Sequence, residues 1–332
     1  MALAIYGKGR IRGTAGNDVI FGSEFNDSIW GYAGNDDIMG SDGHDTIFGG
    51  DHNDEIYGGF GNDVVYGENG KDILDGFYGD DRLDGGLSDD RINGGGGNDI
   101  LIGYTGRDML DGGVGDDTLY GDTQTGVVGN YVDYIAGGNG NDVIHGGPGD
   151  DGDANGDGII KGDPNRNLFL DAGEDGWLSG GDGNDVIYGE NGNDWLDGGR
   201  GDDILIGGIG RDHLDGGTGN DIFRFAWADS PNAPGRFDTI DMFRQGDRID
   251  LPLAGTAANF AYAHLLDDLT FEAQARVLLT EPGKKLALVE ADNGSAMLYA
   301  DLNRDGTMDF AVQIDSITLH SSQLPGFWQQ II

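Results

Sequence analysis

Hydrophobic residues recur at every ninth position through the first part of the chain, in twelve consecutive units that run from Gly13 to Tyr120. Each unit begins with Gly and has an aliphatic residue at its eighth position. After two interruptions the same frame resumes at Gly180 and ends with Asp221 and Phe223, which gives twenty units in all. A fixed short period of this kind predicts a repeat architecture.

The nine-residue period favours strand and turn over helix, because each unit contains several glycines and is too short for a helix hairpin. We predict a six-residue turn followed by a three-residue strand whose middle side chain points inward. Two units then form one coil of 18 residues, and successive coils stack roughly 4.8 Å apart. The predicted fold class is all-β, a parallel β-roll.

The sixth position of the units is always Asp. Stacked carboxylates repel one another, and one aliphatic residue per unit gives a thin core. A hard divalent cation between coils would remove the repulsion, and calcium suits carboxylate and carbonyl oxygens. The alternative is that these residues form solvated Asx turns. The candidate ligands are Asp18, Asp27, Asp36, Asp45, Asp54, Asp63, Asp72, Asp81, Asp90, Asp99, Asp108, Asp117, Asp133, Asp142, Asp151, Asp185, Asp194, Asp203, Asp212 and Asp221.

Charge and composition narrow the function. The formal net charge of −41 excludes an ordinary nucleic-acid binder, and 65 Gly with only 7 Pro exclude collagen. Cys does not occur, so no disulfide framework exists and bound cations are the expected substitute. The N-terminal sequence does not have the apolar core of a secretory signal, and we expect no transmembrane segment.

The segments GNDVIFG (16–22), GGFGNDVVYG (58–67) and GGDGNDVIYG (180–189) resemble the repeat of the RTX, or hemolysin-type calcium-binding, family. The resemblance implies a calcium-stabilised parallel β-roll over 13–225, preceded by an N-terminal cap strand at 1–12. It also implies multiple Ca²⁺ ions held between turns of adjacent coils, by the sixth-position Asp and backbone carbonyls.

Two interruptions divide the repeat, near 123–131 and 152–176. The first is expected to be a surface loop. The second has oxygen-bearing residues at alternate positions, as in hand-type calcium loops, although a plain acidic loop is the alternative. The candidate ligands there are Asp153, Asn155 and Asp157 in one loop, and Asp163, Asn165, Asn167, Asp171 and Glu174 in another.

Beyond the repeat, at 226–332, the glycine pattern stops and hydrophobic content rises. Alternation predicts strands at 286–290, 297–300 and 310–314, and one short helix at 267–279. The stretches at 220–251 and 298–314 resemble the C-terminal domain of serralysin-type metalloproteases, which implies a cap and a type I secretion signal. A further calcium pattern is formed by Asp301, Asn303, Asp305 and Asp309.

Motifs of familiar enzymes do not occur in the sequence. It contains no H-E-x-x-H zinc motif, its six His are scattered, and it has neither a G-x-S-x-G elbow nor a dinucleotide fingerprint. We therefore predict no catalytic residues and no enzymatic activity.

The ninth position is apolar in the first six units, and alternate units place Trp30, Phe48 and Tyr66 on one outer face. This row is a candidate partner surface for a glycan or surface protein, or simply a stabilising aromatic ladder.

Together these patterns predict a secreted, extracellular or cell-surface RTX protein that folds on extracellular calcium and acts in structure, interaction or adhesion. Its expected partners are calcium ions, a type I exporter and a glycan or surface protein. The alternatives are the secretion and folding module of an extracellular hydrolase, or an enzyme with an unrecognised site. A neighbouring exporter gene without an upstream catalytic domain would favour the first interpretation.

Overall fold

The computed structural model is an all-β structure of strands and tight turns, in two compact units, Met1–Asp185 and Val186–Ile332, here called the N-terminal and C-terminal units. The residues described are 3–122, 133–148, 177–226, 237–241, 243–244, 246–251, 260–264, 286–290, 295–300 and 310–315. None of these segments is a helix long and apolar enough to cross a membrane.

In the N-terminal unit, consecutive strands alternate between two parallel sheets. The first sheet contains β1 (Leu3–Tyr6), β3 (Asp18–Phe21), β5 (Asp37–Asp42), β7 (Glu55–Phe60), β9 (Ile73–Tyr78), β11 (Arg91–Gly96), β13 (Met109–Val114), β15 (Tyr134–Asn139) and β17 (Trp177–Asp182). The second contains β2 (Arg10–Arg12), β4 (Ser28–Ala33), β6 (Thr46–Asp51), β8 (Val64–Asn69), β10 (Arg82–Leu87), β12 (Ile100–Thr105), β14 (Thr118–Asp122) and β16 (Val143–Pro148).

The strand register confirms the predicted coil of 18 residues. Ile47 pairs with Val65, and Val65 with Leu83, so equivalent positions of successive coils lie side by side. Across the interruptions, paired residues are further apart in the sequence than 18 positions, yet Ile135 still pairs with Leu178. The inserted residues 123–132 and 149–176 lie outside the described residues, so the two predicted loops stay predictions.

The core consists of the eighth-position side chains, which point inward from both sheets. Each is at most 3% exposed, because the flanking seventh and ninth positions face outward in a strand. The buried set in this unit is Ile11, Ile20, Ile29, Ile38, Ile47, Ile56, Val65, Leu74, Leu83, Ile92, Leu101, Leu110, Leu119, Ile135, Ile144 and Leu178.

The strands are longer than the sequence predicts. Strand β6 has six residues, covering the last three positions of one unit and the first three of the next. Gly50 and Asp51 still pair with Glu68 and Asn69, so backbone pairing between coils continues past the predicted strand end. The turn is correspondingly reduced from six residues to three, at positions four to six.

The N-terminal segment predicted as a cap strand contains two strands, β1 and β2. Ile5 pairs with Ile20, and Ile11 pairs with Ile29, so both continue the coil pattern ahead of the first full unit. The parallel stacking therefore begins before Gly13.

The C-terminal unit also has two sheets. One contains β18 (Val186–Gly192), β20 (Ile204–Gly210), β22 (Ile222–Arg224) and β24 (Arg248–Asp250). The other contains, in spatial order, β19 (Trp195–Arg200), β21 (His213–Asp215), β23 (Asp238–Asp241), β28 (Phe310–Ile314), β27 (Ala296–Ala300), β26 (Leu286–Glu290) and β25 (Phe260–His264). Strand β27 is antiparallel to both of its neighbours, which interrupts the parallel pattern, while the outermost pair of that sheet, β25 and β26, is parallel again.

The three strands predicted near the C-terminus are confirmed as β26, β27 and β28, with β27 beginning one residue earlier than expected. Phe237 packs against a buried cluster on these strands, which consists of Ala287, Val289, Met297, Tyr299 and Ala311. The helix predicted at 267–279 lies outside the described residues.

Candidate metal-binding site

The sixth-position Asp side chains are buried, although carboxylates are almost never buried without a compensating partner. Each is at most 3% exposed, and the set described is Asp18, Asp27, Asp36, Asp45, Asp54, Asp63, Asp72, Asp81, Asp90, Asp99, Asp108, Asp117, Asp133, Asp142, Asp185, Asp194, Asp203, Asp212 and Asp221. This burial does not agree with the alternative interpretation of these residues as solvated Asx turns.

One oxygen of each carboxylate joins neighbouring coils. The backbone N–H of Asp54 donates to Oδ1 of Asp72 at 2.7 Å, and the N–H of Asp72 donates to Oδ1 of Asp90 at 2.8 Å. The same bond repeats along both edges of the N-terminal unit and reaches Asp185, which accepts from Asp142 across 43 residues of sequence. The Asp residues thus form two hydrogen-bonded ladders parallel to the stacking direction.

The second oxygen, Oδ2, has no hydrogen-bond partner and is inaccessible to solvent in most of these residues. A buried acceptor left unpaired costs roughly 1–3 kcal/mol, and more when it carries charge. The residues concerned are Asp36, Asp45, Asp54, Asp63, Asp72, Asp81, Asp90, Asp99, Asp108, Asp117, Asp142 and Asp221.

Burial also raises the pKa of these carboxyl groups, because desolvation penalises the ionised form. The pKa of Asp54 rises to about 7, that of Asp81 to about 8 and that of Asp90 to about 9, although the backbone N–H bond to each opposes the change. Neighbouring carboxylates in the same ladder raise the pKa of each further. A positive charge between coils would oppose this rise and favour the ionised form of the ladder carboxylates.

Each orphaned Oδ2 lies beside the first-position Gly of its own unit. A Cβ atom on Gly67 would stand 2.5 Å from Oδ2 of Asp72 and 2.5 Å from the carbonyl oxygen of Gly85 in the next coil. Gly31, Asp36 and Gly49 repeat this arrangement, again at 2.5 Å and 2.5 Å. A carboxylate oxygen and a carbonyl oxygen of the next coil thus converge beside many of the glycines that begin a unit, among them Gly40, Gly76 and Gly94.

The donor set fits calcium. In the described residues, no three His, Asp or Glu side chains converge as a metal-binding cluster, so an ion must take part of its ligand shell from the backbone. Mixed carboxylate and carbonyl oxygens are the usual ligands of Ca²⁺. Sixth-position Asp and nearby carbonyls could therefore hold calcium between adjacent coils.

The first rung of each ladder is different. Thr14 donates its backbone N–H and hydroxyl to Oδ2 of Asp18 at 2.6 Å and 2.9 Å. Ser23 makes the same pair of bonds to Oδ2 of Asp27, at 2.8 Å and 2.9 Å. Oδ2 of these two carboxylates therefore has protein partners, whereas Oδ2 of the next residue in each ladder, Asp36 and Asp45, has none. A hydroxyl residue at the second position is not sufficient for these bonds, because Ser41 holds that position with a φ of 90° while Oδ2 of Asp45 has no partner.

The fifth position carries a second ladder, which the sequence analysis missed. The N–H of Asn98 donates to Oδ1 of Asp80 at 2.9 Å, and the N–H of Asn62 donates to Nδ1 of His44 at 2.7 Å. These bonds point to the preceding coil, opposite in direction to the Asp ladder. The recurring Asn-Asp pair therefore satisfies two turn N–H groups in opposite directions.

Two further Asp residues extend the ladders in the C-terminal unit beyond the predicted end of the repeat. Asp212 donates its N–H to Oδ1 of Asp238 at 2.8 Å, and Asp221 donates to Oδ1 of Asp247 at 3.2 Å. Both acceptors are buried. The D-x-I triplets at 238–240 and 247–249 were the available signal, hidden by the loss of the glycine pattern.

The outer aromatic row is assembled as predicted. Trp30 and Phe48 stack with ring centroids 5.9 Å apart, and Phe48 and Tyr66 stack at 5.1 Å, with interplanar angles of 6° and 8°. Face-to-face stacking leaves mainly ring edges toward solvent. The geometry therefore favours the stabilising-ladder interpretation of this row.

The remaining predicted ligands lie outside the described residues and stay predictions. They are Asp151, Asp153, Asn155, Asp157, Asp163, Asn165, Asn167, Asp171, Glu174, Asp301, Asn303, Asp305 and Asp309.

Comparison with solved structures finds chains that are similar to this one. The AlgE6R2 subunit of mannuronan C5-epimerase from Azotobacter vinelandii is 25% identical, with 60% of this chain and 91% of the subunit covered and a TM-score of 0.25. The AlgE6R3 subunit is 24% identical, covering 64% and 84%, with a TM-score of 0.24. Extracellular lipase LipA from Serratia marcescens is 18% identical, covering 87% of this chain but only 39% of the lipase, with a TM-score of 0.22.

Comparison with curated protein sequences finds no match. The family described as RTX calcium-binding nonapeptide repeat (4 copies) does match, over more than half of the chain. Its matches span 12–47, 48–76, 66–101, 75–110, 93–128, 127–152, 172–205 and 198–225. Repeats of this family bind multiple calcium ions, in agreement with the unpaired Asp oxygens. The chain belongs to the RTX calcium-binding nonapeptide repeat family.

Proposed function

We propose that this chain is secreted and completes its β-roll on extracellular calcium, and that it then acts as a structural or interaction protein of the matrix or cell surface. A folded solenoid presents a long repetitive surface, which suits binding and scaffolding better than a single catalytic pocket. In this proposal the protein is not an enzyme.

The observation that carries the calcium-dependent part is the row of buried, unpaired Oδ2 atoms. Asp54, Asp72 and Asp90 each leave one oxygen without a partner, in consecutive coils of one ladder. Ions between the turns would neutralise these groups and contribute free energy only to the folded chain. Inside a cell, where calcium is scarce, the same carboxylates would oppose folding.

We assign calcium to the sixth-position Asp from Asp36 onward, together with backbone carbonyls of the turns. The two loop regions at 152–176 and 301–309 are proposed as additional calcium sites on the basis of their oxygen spacing. Magnesium should substitute poorly, because it requires small octahedral sites and retains its water.

Residues 226–332 are proposed as the cap and the signal for a type I exporter. The support is the resemblance of this region to serralysin-type C-terminal domains, together with the change from parallel to antiparallel pairing at β28, β27 and β26. A cap covers the unpaired edge and the apolar interior that a last coil would otherwise expose.

Circular dichroism and hydrodynamic radius, measured with chelator and with millimolar calcium, test the folding part of the proposal. We expect a largely disordered, expanded chain in chelator and a compact, β-rich one in calcium, but not in magnesium. Identical spectra and radii under both conditions would overturn it.

Coexpression with a type I exporter, with and without residues 226–332, tests export by the amount of protein in the medium.

A further inference from the structure

The outer face of the first sheet in the N-terminal unit contains a groove of about 430 Å³. Tyr57 on β7 lines one end of it and Tyr134 on β15 lines the other. Four inter-strand steps separate these strands, which makes the groove roughly 19 Å long at the usual spacing. Its volume is in the range of ordinary ligand sites.

Short polar side chains form the middle of the groove. Asp75, Asn93 and Asp111 occupy ninth positions of β9, β11 and β13, and the strand register places Asn93 directly between the other two. Beside them, Ile73 and Met109 flank Arg91 in the seventh-position row. The groove exists because the aromatic ninth-position row of the first units changes here to smaller residues.

The Tyr57 end of the groove continues into an aromatic surface. The rings of Tyr57 and Phe77 lie 5.8 Å apart, and those of Phe60 and Tyr78 stack at 5.0 Å. Phe60 is 60% exposed and Tyr78 58% exposed, which is unusual for such large apolar side chains. The groove therefore continues from Tyr57 to the ring of Phe77.

We propose that this groove binds a neutral, linear oligosaccharide. Carboxylate and amide groups in a row can accept from and donate to successive sugar hydroxyls, while tyrosine rings pack against the apolar faces of sugar rings. The length of the groove matches an extended chain of several sugars. This inference rests on the proposed interaction role and supplies the class of its partner.

Charge selects the neutral sugar over an acidic one. Asp75 and Asp111 place two carboxylates in the groove against the single cation of Arg91, and the whole chain carries a formal charge of −41. A uronic acid polymer would be repelled by this surface and by the field of the protein.

The predicted platform of Trp30, Phe48 and Tyr66 is less suited to this task. Its rings are stacked on one another, so their faces already have partners. On the second sheet a single short residue, Asp84, follows Tyr66 and is itself followed by the bulky Ile102. On the first sheet the three short residues Asp75, Asn93 and Asp111 follow Tyr57 in register and leave an extended space. The first sheet therefore presents an open groove to a ligand, whereas the second presents a row of stacked rings.

The test is isothermal titration of the calcium-loaded, full-length protein with neutral linear hexasaccharides of glucose, mannose and galactose, and with a hexamer of a uronic acid. In the Asn93→Phe variant an aromatic ring would fill the groove while keeping strand propensity. Asn93→Ala provides a milder change. Asp84→Phe is the matched control, because Asp84 holds the ninth position of β10 in the second sheet.

We expect at least one neutral hexasaccharide to bind, with affinity reduced at least tenfold in Asn93→Phe, reduced less in Asn93→Ala, and unchanged in Asp84→Phe. The proposal is overturned if only the uronic acid hexamer binds, if no saccharide binds, or if folded Asn93→Phe binds as wild type does. Capture of a surface protein without any saccharide binding also overturns it. Each of these outcomes leaves calcium-induced folding intact, so failure of the groove is distinguishable from failure of the proposed function.

Discussion

The backbone N–H of Asp54 donates a 2.7 Å hydrogen bond to Oδ1 of Asp72, which occupies the same place in the next coil. Oδ2 of Asp72 is buried without a partner. One carboxylate therefore joins two coils through one oxygen and offers the other to a cation. Asn in its place would keep the acceptor that joins the coils and remove the negative charge.

Replacing Asp72 with Asn should separate these two tasks. Because burial raises the pKa of Asp72 to about 6, the neutral amide costs less to bury than the ionised carboxylate. In chelator we expect Asp72→Asn to be no less stable than wild type. In calcium it should bind fewer ions and need several-fold more calcium for half-maximal β content, as measured by titration calorimetry and circular dichroism.

Asp18→Asn is the control for that experiment. Oδ2 of Asp18 already accepts hydrogen bonds from Thr14, so removal of its charge should change the calcium stoichiometry less. If Asp72→Asn retains the wild-type number of ions and the wild-type midpoint, Asp72 is not a calcium ligand.

The pH dependence of the ion-free chain follows from the same carboxylates. Their folded pKa values, about 6 for Asp36, about 7 for Asp99 and about 9 for Asp90, exceed the ordinary value because burial disfavours the charge. The folded state thus binds more protons than the unfolded state, and its stability falls as pH rises. That stability is fully present below about pH 4 and is lost progressively as the pH rises from there through the folded pKa values, up to about pH 9.

In chelator we therefore expect more β structure at pH 5 than at pH 8, measured by circular dichroism, with sedimentation to exclude aggregation. Saturating calcium provides the control, since its ions replace the protons and the β content should then be the same at both pH values. A chelated chain whose β content is equal at pH 5 and pH 8, or higher at pH 8, would contradict the role given to buried carboxylates.

Gly67 should be intolerant of even one methyl group. A Cβ there would meet Oδ2 of Asp72 and the carbonyl oxygen of Gly85 at 2.5 Å each, so Gly67→Ala should cost about 1–3 kcal/mol and weaken calcium binding. Gly96 is the matched control, because its nearest neighbour would be 3.8 Å away. Gly96→Ala should be neutral or stabilise by about 0.4–1 kcal/mol. Denaturation in calcium compares the two, and equal losses would refute the steric argument.

The sequence was sufficient to predict the coil, its length of 18 residues and the inward-pointing residues such as Ile47 and Val65. Each of these signals is local and repeats at a fixed spacing. For Asp72 the sequence predicts a calcium ligand but not the burial of the side chain. The different roles of its two oxygens depend on a neighbour in the next coil.

Features that depend on contacts between coils, and not on a local repeated signal, were missed. Asp238 and Asp247 continue the ladders although the glycines that marked earlier units are missing there. The D-x-I triplets that remain are a weak signal, and the hydrogen bonds from Asp212 and Asp221 identify both residues. The length of the strands depends on pairing between coils, which a single unit cannot show. The groove likewise arises from residues in five different strands.

The aromatic row on the second sheet should stabilise the roll. Trp30, Phe48 and Tyr66 stack at 5.9 Å and 5.1 Å, and aromatic pairs contribute about 0.5–1.5 kcal/mol each beyond their burial. Replacing all three with Thr, which keeps strand propensity, should raise the calcium concentration needed for folding. Calcium titration by circular dichroism measures this, and saccharide binding in the groove should be unchanged. An unchanged folding midpoint with a lost ligand would instead make the row a binding site.

The end of the repeat should depend on the two Asp residues that follow it. A chain ending at Phe225 loses Asp238 and Asp247, so the N–H groups of Asp212 and Asp221 lose their acceptors and strands β21 and β22 lose their outer neighbours. A chain ending at Leu251 keeps both acceptors together with β23 and β24. We expect the shorter chain to need markedly more calcium than the longer one, and the longer one somewhat more than the intact protein, by calcium titration of β content. If the chain ending at Phe225 reaches full β content at the calcium concentration of the intact protein, neither the extra rungs nor the cap contributes to folding.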